Sequence, residues 1–236
     1  MINNTKIEIC IGNVTDALKA AEYPIDRIEL NSALELGGLS PAKETLCYLK
    51  KKIAVPICCM VRPRGGDFFY DEIEFKLMLK QAKSFLKNGA DGIVFGFLRE
   101  DHTVDTERTK KMVKLIHSYK KEAIFHKAFD AVPDQFEAID QLYELGIDRI
   151  LTGDGESSQS IVKGSKKIHE LYEHLDEKIQ LLPGGGVRIE NAAQVLKTAR
   201  TGQIHMTSKK TNPGGYIELD TEQLEAILKK IEKARL

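Results

Sequence analysis

The stretch "LGIDRI" (residues 145–150) joins the end of a predicted helix to the start of a predicted strand. Its glycine suits a helix C-terminus at which the chain must turn, and the apolar residues after the aspartate begin a β-type run. Two similar junctions occur earlier in the chain, "YPIDRI" (23–28) and "NGADGI" (88–93). The recurrence of this junction predicts a fold that repeats one strand–helix unit.

Short apolar and β-branched runs recur along the whole chain, and helical patterns separate them. The predicted strands are residues 6–11, 26–30, 56–61, 92–97, 122–127, 148–152, 179–183 and 203–207. The predicted helices follow near 14–22, 41–51, 71–88, 106–119, 134–145, 158–174, 190–199 and 219–234. Eight such units predict a single α/β domain, a (β/α)8 TIM-type barrel over residues 1–236. An open doubly wound sheet is the competing architecture, but it does not usually need eight evenly sized units, and no GxGxxG motif follows the first strand.

The composition narrows the classes of partner. The 236 residues include 35 Lys and Arg and 35 Asp and Glu, so the zero net charge argues against nucleic acid or an anionic membrane as a partner. The start lacks the pattern of a signal peptide, and no run approaches about 18 apolar residues, so we expect no membrane span. The four cysteines form no CxxC pair, which favours reduced thiols and a cytoplasmic location. A homo-oligomer is compatible with the sequence, which does not determine the oligomeric state.

Strand alternation predicts which side chains enter the barrel. An outward face of three isoleucines on the first strand would place Glu8 and Cys10 inside. The same reasoning on the other strands predicts an inward set near their ends: Cys10, Glu29, Asn31, Met60, Arg62, His126 and His205. Buried charge is costly unless it is paired, so this set indicates a ligand site at the strand ends, where barrel enzymes have theirs. A structural ion network, such as Glu29 with Arg62, is the alternative.

Two glycine-containing loops supply candidate anion-binding residues. "RPRGGD" (62–67) follows strand three and combines two glycines with two arginines, whose forks bind carboxylate or phosphate. "PGGGVR" (183–188) follows strand seven, where these barrels habitually bind phosphate. The predicted substrate-binding residues are Arg62, Arg64, Asp67, Gly184, Gly185, Gly186, Arg188 and His205. Tight loops with surface charges are the alternative.

The stretch "FHKAFD" (125–130) supplies candidate acid–base chemistry. His126 is expected at a strand end, with Asp130 four residues later, and a histidine ordinarily titrates near neutrality. We predict that His126 moves a proton with support from Glu29 or Asp130; a core histidine bonded to a carbonyl is the alternative. The outward parity predicted for Lys127 argues against a Schiff-base aldolase.

Soft donors form a second candidate site. Cys10, Cys58 and Met60 share the predicted inward parity, and thiolate and thioether groups suit Cu(I) better than a hard cation. Cys10 is the predicted metal ligand, with Cu(I) as the candidate ion. Buried cysteine and methionine are also ordinary core residues, which is the alternative.

Together these segments resemble the copper homeostasis protein CutC family. The matching stretches are "DRIELNSALELGGLSP", "MVRPRGGDFFY", "GADGIVFGFL", "FHKAFD", "DRILTG" and "PGGGVR". The resemblance implies a TIM-type barrel, a cytoplasmic location and a part in copper handling through Cu(I) binding by cysteine. By position, the family's strand-one cysteine is Cys10, but its second cysteine is Asn31 here. Two family arginines are replaced by Lys127 and Lys209.

The polar positions are better preserved than the thiol positions. Those that match the family are Glu29, Arg62, Arg64, Asp67, His126, Asp130 and His205. Two functions therefore stay open: a role in copper homeostasis with Cu(I) bound at Cys10, or an enzyme or binding protein for a small carboxylate or phosphate ester. The two differ in donor type, because copper needs sulfur whereas an anion needs arginine and NH donors.

Overall fold

A computed structural model describes residues 1–153 and 161–234, and within these ranges the chain forms the predicted barrel. Eight parallel strands alternate with helices around a nearly closed sheet. The predicted start of the sixth helix, residues 158–160, lies outside the described residues. None of the helices in the described ranges is long and apolar enough to cross a bilayer.

Each strand pairs with its neighbour in chain order. The barrel strands are β1 Lys6–Ile11, β2 Arg27–Leu30, β3 Ile57–Met60, β4 Gly92–Phe95, β5 Glu122–Phe125, β6 Arg149–Thr152, β7 Gln180–Pro183 and β8 Gln203–Met206. The sheet order runs from β7 back through β1 to β8, and a parallel bridge between Gly184 and His205 closes the ring. A short antiparallel hairpin, β9 Lys209–Thr211 with β10 Ile217–Leu219, follows the last barrel strand.

The helices form the outer layer. They are α1 Val14–Ala20, α2 Lys43–Leu49, α3 Glu72–Lys87, α4 Thr106–His117, α5 Gln135–Glu144, α6 Ile161–His174, α7 Ala192–Ala199 and α8 Thr221–Glu232. Aspartate caps several of their N-termini, most completely at α3, where Asp71 and Glu74 form a reciprocal capping box. Short 3-10 turns lie at Leu34–Leu36 and Lys127–Ala131.

The repeated junction has a direct structural role. The carboxylates of Asp26, Asp91 and Asp148 accept hydrogen bonds from backbone amides at the start of β1, β3 and β5, at 2.8 Å, 3.0 Å and 2.8 Å. These amides lie at the start of the barrel, where an unpaired buried NH group would be costly. The repeat therefore stabilises the face of the barrel opposite the expected ligand site.

The predicted strand parity is confirmed. The outward side chains of β1, β2 and β3 belong to the large core between sheet and helices. A separate apolar cluster fills part of the barrel interior and consists of Cys58, Met60, Val94 and Ile124. The prediction that strand five continues to residue 127 is wrong, because β5 ends at Phe125 and a 3-10 turn begins at Lys127.

Candidate functional site

A pocket of about 420 Å³ opens at the C-terminal ends of the strands. This size falls in the usual range for small-molecule sites, roughly 300–1,000 Å³. Eight of the predicted site residues line it: Cys10, Glu29, Arg62, His126, Gly185, Gly186, Arg188 and His205. Strand parity thus brings together side chains that lie up to about 200 residues apart in the chain, at the barrel face where ligands bind.

Arg64 and Asp67 lie outside this lining. Arg64 Nε donates to Glu74 Oε1 at 2.7 Å, its Nη1 donates to Asp67 Oδ1 at 3.0 Å, and its guanidinium lies 5.0 Å from the ring centre of Tyr70. The side chain is therefore held against the start of α3. The expected pair of arginines facing one ligand does not form, and Arg62 alone points into the pocket.

Asp130 and Gly184 also take structural positions. Asp130 accepts from the Thr152 hydroxyl at 2.6 Å and from the Gly153 amide at 3.1 Å, so it ties the turn after β5 to the end of β6. It contacts Lys127 at 3.3 Å rather than His126. Gly184 allows close packing at the barrel closure, since a Cβ there would lie 2.6 Å from Leu151 Cδ1.

Arg62 is a buried cation that contacts main-chain carbonyls and has no carboxylate partner in the described ranges. Its Nη1 donates to the carbonyls of Leu36 and Gly38, each at 3.1 Å, and its Nη2 donates to Gly66 O at 2.9 Å. The Nε atom is buried and has no partner among the described residues. The alternative of a Glu29–Arg62 ion pair is therefore not what the structure forms. An uncompensated buried charge favours an anionic ligand.

His126 is held neutral, with its proton on Nε2. The ring is 3% exposed, and its Nδ1 accepts a hydrogen bond from the Ala128 amide at 3.1 Å. Burial, helped by the charge of Arg62, lowers the pKa of His126 to about 3. Because Nδ1 is occupied by a donor, the proton lies on Nε2, which has no partner in the described part of the chain. This lowered pKa differs from the value near neutrality expected from the sequence, and it favours a hydrogen-bond donor at Nε2 over a proton acceptor.

His205 belongs to a buried ionic chain. Its Nδ1 lies 2.8 Å from Glu8 Oε1, and Glu8 Oε2 lies 2.9 Å from Arg27 Nε. Burial opposes ionisation of Glu8, yet Arg149, His205 and Arg27 hold the pKa of this carboxyl well below its usual range. Burial also opposes protonation of His205, but the carboxylates of Glu29 and Glu8 raise its pKa. Glu8 therefore orients the ring and leaves Nε2 toward the pocket.

Glu29 and Asn31 present further unpartnered atoms. Asn31 Nδ2 donates to Glu29 Oε1 at 2.7 Å, whereas Glu29 Oε2 and Asn31 Oδ1 are buried without a partner among the described residues. Burial raises the pKa of Glu29. Sequence reasoning found Glu29 by parity but missed the function of Glu8, because parity does not show which inward groups touch.

Among the described residues of the lining, cations outnumber acids. Lys127 and Lys209 join Arg62 and Arg188 there, and Glu29 is the only carboxylate in this described set. The predicted outward orientation of Lys127 is wrong, because the residue belongs to the 3-10 turn after β5 rather than to the strand. The position of Lys127 directly after a strand-end histidine could have indicated that it lies near the pocket. Strand alternation predicted the opposite orientation, but it applies only while the strand continues.

Comparison with known proteins agrees with this architecture. Residues 5–210 match the CutC family. This chain belongs to the CutC family. A CutC family protein of Treponema denticola is 41% identical over 223 residues, covering 91% of this chain and 89% of the relative. The human "Copper homeostasis protein cutC homolog" is 34% identical, over 90% of this chain and 77% of its own length. The crystal structure of a putative copper homeostasis protein CutC from Streptococcus agalactiae superposes with a TM-score of 0.81 at 30% identity, covering 86% of this chain and 98% of that one.

Three pocket residues of this CutC protein are candidate ligands for a copper ion. Ligand atoms of Cys10, Glu29 and His205 lie within 4.8 Å of one another, and all three residues are buried. Burial and the neighbouring Glu29 raise the pKa of the Cys10 thiol well above its ordinary value, and Asn31 Nδ2 donates to its sulfur at 3.3 Å. Metal binding requires the thiolate, which these surroundings disfavour.

A second sulfur ligand beside Cys10 is not provided by another cysteine. Cys58 belongs to the apolar cluster deeper in the barrel, and burial raises its pKa to about 12. Cys59 faces the outer core and Cys47 lies on α2. Cu(I) prefers soft sulfur donors. The described pocket residues therefore offer one thiol, the thioether of Met60, and nitrogen and oxygen donors, which does not fit a two-cysteine copper site.

Proposed function

We propose that this CutC protein binds a small metabolite bearing a carboxylate or phosphate in the pocket at the C-terminal end of the barrel. The observation that carries the proposal is Arg62, a cation 7% exposed that lines the pocket, contacts no described carboxylate and keeps its Nε free. Charge-assisted hydrogen bonds to an anion would compensate its desolvation.

The opposite wall supports the same ligand class. Gly185 and Gly186 adopt φ angles of 103° and 77°, which bring their backbone to the pocket in a conformation that other residues rarely adopt. The side chains of Arg188 and Lys209 lie beside this turn in the lining, and Lys127 approaches it so closely that a Cβ on Gly185 would lie 3.0 Å from its Nζ. This combination of backbone and cations is suited to phosphate.

The roles that the structure supports for His126, Asp130 and Glu29 differ from the acid–base roles predicted from the sequence. His126 cannot accept a proton at Nε2 while Nδ1 is bonded to the Ala128 amide, so its role is to donate a hydrogen bond. Asp130 acts indirectly, because it holds the 3-10 turn that presents Lys127. Glu29 is the acidic group among the described lining residues, and it limits how much negative charge the ligand can bring to that wall.

Inorganic phosphate is the first probe. We expect phosphate to raise the melting temperature of the wild type, and Arg188→Met and Lys209→Met each to weaken its affinity by about tenfold, the value of one charge-assisted contact. Arg64→Met is the matched control, since Arg64 comes from the same loop as Arg62 but is bound to Glu74 outside the pocket. Equal phosphate-dependent shifts in all four proteins would rule out the pocket as the anion site.

A role in copper homeostasis is the second candidate. It is supported by the name of the human relative, a copper homeostasis protein homolog, and by the cluster of Cys10 with Glu29 and His205. With one thiol available, we expect weak or substoichiometric Cu(I) binding that is lost in Cys10→Ser and retained in Cys47→Ser, whose cysteine lies on α2. A competition titration that finds tight, one-to-one Cu(I) in Cys10→Ser would overturn this assignment. The four free cysteines are consistent with the cytoplasmic location that we propose for either function.

A further inference from the structure

We propose, on the basis of the proposed anion site, that the ligand has two acceptor groups. One is the phosphate or carboxylate held by the turn at 185–186, and the other is a carbonyl or carboxylate oxygen held between Arg62 Nε and His126 Nε2 on the opposite wall. The ligand class is therefore a short phosphorylated keto or carboxylic acid rather than a simple monoester.

The second subsite rests on two buried donors that no described residue satisfies. Arg62 is 7% exposed and His126 is 3% exposed, and both line the pocket. The structure leaves Arg62 Nε and His126 Nε2 without acceptors among residues 1–153 and 161–234. Buried donors are almost always paired in folded proteins, so an unpaired pair in a pocket lining indicates that an acceptor comes from a ligand.

Phe68 keeps the two donors together. Its ring centre lies 4.8 Å from that of His126 and 5.3 Å from the guanidinium carbon of Arg62. The half-buried Phe68 therefore covers both groups from the loop after β3. A donor pair shielded in this way gains strength from the low local dielectric.

Gly96 makes the arrangement sterically possible. The residue follows β4, which lies between β3 and β5, and a Cβ there would lie 2.5 Å from His126 Cε1 and 2.6 Å from its Nδ1. Any other residue would push the imidazole away from its place beside Arg62. Because Gly96 has no side chain, the His126 ring, which follows β5, can extend over the end of β4 toward Arg62.

The two subsites lie on different sides of the barrel mouth. Arg62 follows β3 and His126 follows β5, whereas the glycine turn follows β7, which lies opposite β3 in the eight-stranded ring. A ligand with an acceptor at each end can therefore satisfy both walls at once.

The test compares two probes that share a phosphate. Phosphoglycolate carries a carboxylate at its second end, and methyl phosphate does not. In isothermal titration calorimetry we expect the wild type to bind phosphoglycolate at least about tenfold more tightly than methyl phosphate. His126→Phe should weaken phosphoglycolate about tenfold more than it weakens methyl phosphate, whereas Lys209→Met should weaken both probes equally.

A direct measurement covers the case in which His126→Phe fails to fold. In the wild type, the ¹⁵N resonance of His126 Nε2 should shift with phosphoglycolate and stay in place with methyl phosphate. If methyl phosphate binds but phosphoglycolate binds no more tightly and leaves this resonance unmoved, the two-ended ligand is refuted and the anion site stands. If neither probe binds, the proposed function and this inference both fail.

Discussion

Gly96→Ala tests whether the close approach of His126 to β4 shapes the pocket. The added methyl group would lie 2.5 Å from His126 Cε1, 2.6 Å from His126 Nδ1 and 2.9 Å from Ala128 Cβ. Carbon atoms rarely approach closer than about 3.5 Å, so the ring must move. Its displacement would also break the hydrogen bond from the Ala128 amide to Nδ1.

The expected magnitude follows from two opposing terms. Overpacking a rigid site costs about 1–3 kcal/mol. Replacing glycine with alanine stabilises a compatible site by about 0.4–1 kcal/mol, because the unfolded chain loses freedom. The net loss in unfolding free energy is roughly 1–2 kcal/mol, which lowers the melting temperature of a chain of this size by about 2–8 °C.

Gly65→Ala is the matched control. Gly65 lies in the loop after β3, and a Cβ there would meet nothing closer than 3.8 Å. Urea denaturation of both variants measures the difference in unfolding free energy, and phosphoglycolate titration measures the effect on the pocket. We expect Gly65→Ala to match or exceed the wild type in stability. If Gly96→Ala is equally stable, the contact argument is refuted.

Three further predictions concern the buried charges. Glu8→Gln should lower the unfolding free energy by about 3–5 kcal/mol in urea denaturation, because it leaves Arg27 and Arg149 buried without their shared carboxylate; a loss below about 1 kcal/mol would contradict this. Burial lowers the pKa of His126 from 6.5 to about 3 in the folded protein. Below pH 6.5 the unfolded chain therefore binds a proton at this residue and the folded chain does not, so the unfolding free energy falls as pH falls. Between pH 7 and about pH 4 the wild type should lose about 3 kcal/mol more than His126→Phe, and parallel pH profiles would refute the neutral assignment. Asp91→Ala should cost about 1–3 kcal/mol, since it removes the acceptor of the Ile57 amide and the partner of Lys50, and calorimetry showing no change in melting temperature would count against the junction role.

The barrel and its inward residues follow from local sequence patterns. Alternation within a strand has a period of two, so the isoleucines of β1 determine that Glu8 and Cys10 face the interior. The junction aspartates could be recognised because each lies at the same step of a repeated unit. Both features depend on residues a few positions apart, which a sequence displays directly.

The partners of those residues were decided by the tertiary structure. Arg64 is turned away from the pocket by Glu74, a residue of the following helix, and Arg62 contacts carbonyls of the loop after β2 rather than Glu29. Strand alternation gives no information on such contacts, because they depend on how separate loops fold over the barrel. Lys127 lines the pocket because β5 ends before it and a 3-10 turn replaces the extended chain, a change that strand alternation does not predict.

The pKa and the tautomer of His126 likewise could not be predicted from the local sequence pattern. Its position at a strand end followed from the sequence, but its pKa of about 3 comes from burial and from the charge of Arg62, which lies 64 positions earlier. Its tautomer depends on one amide in the turn that follows, and its place beside Arg62 depends on the missing side chain of Gly96, directly after the neighbouring strand β4. Sequence therefore determined which strand residues face the barrel interior. The three-dimensional packing decided which loop residues line the pocket and which charge and free atoms each group has, because protonation and hydrogen bonding respond to neighbours in space rather than along the chain.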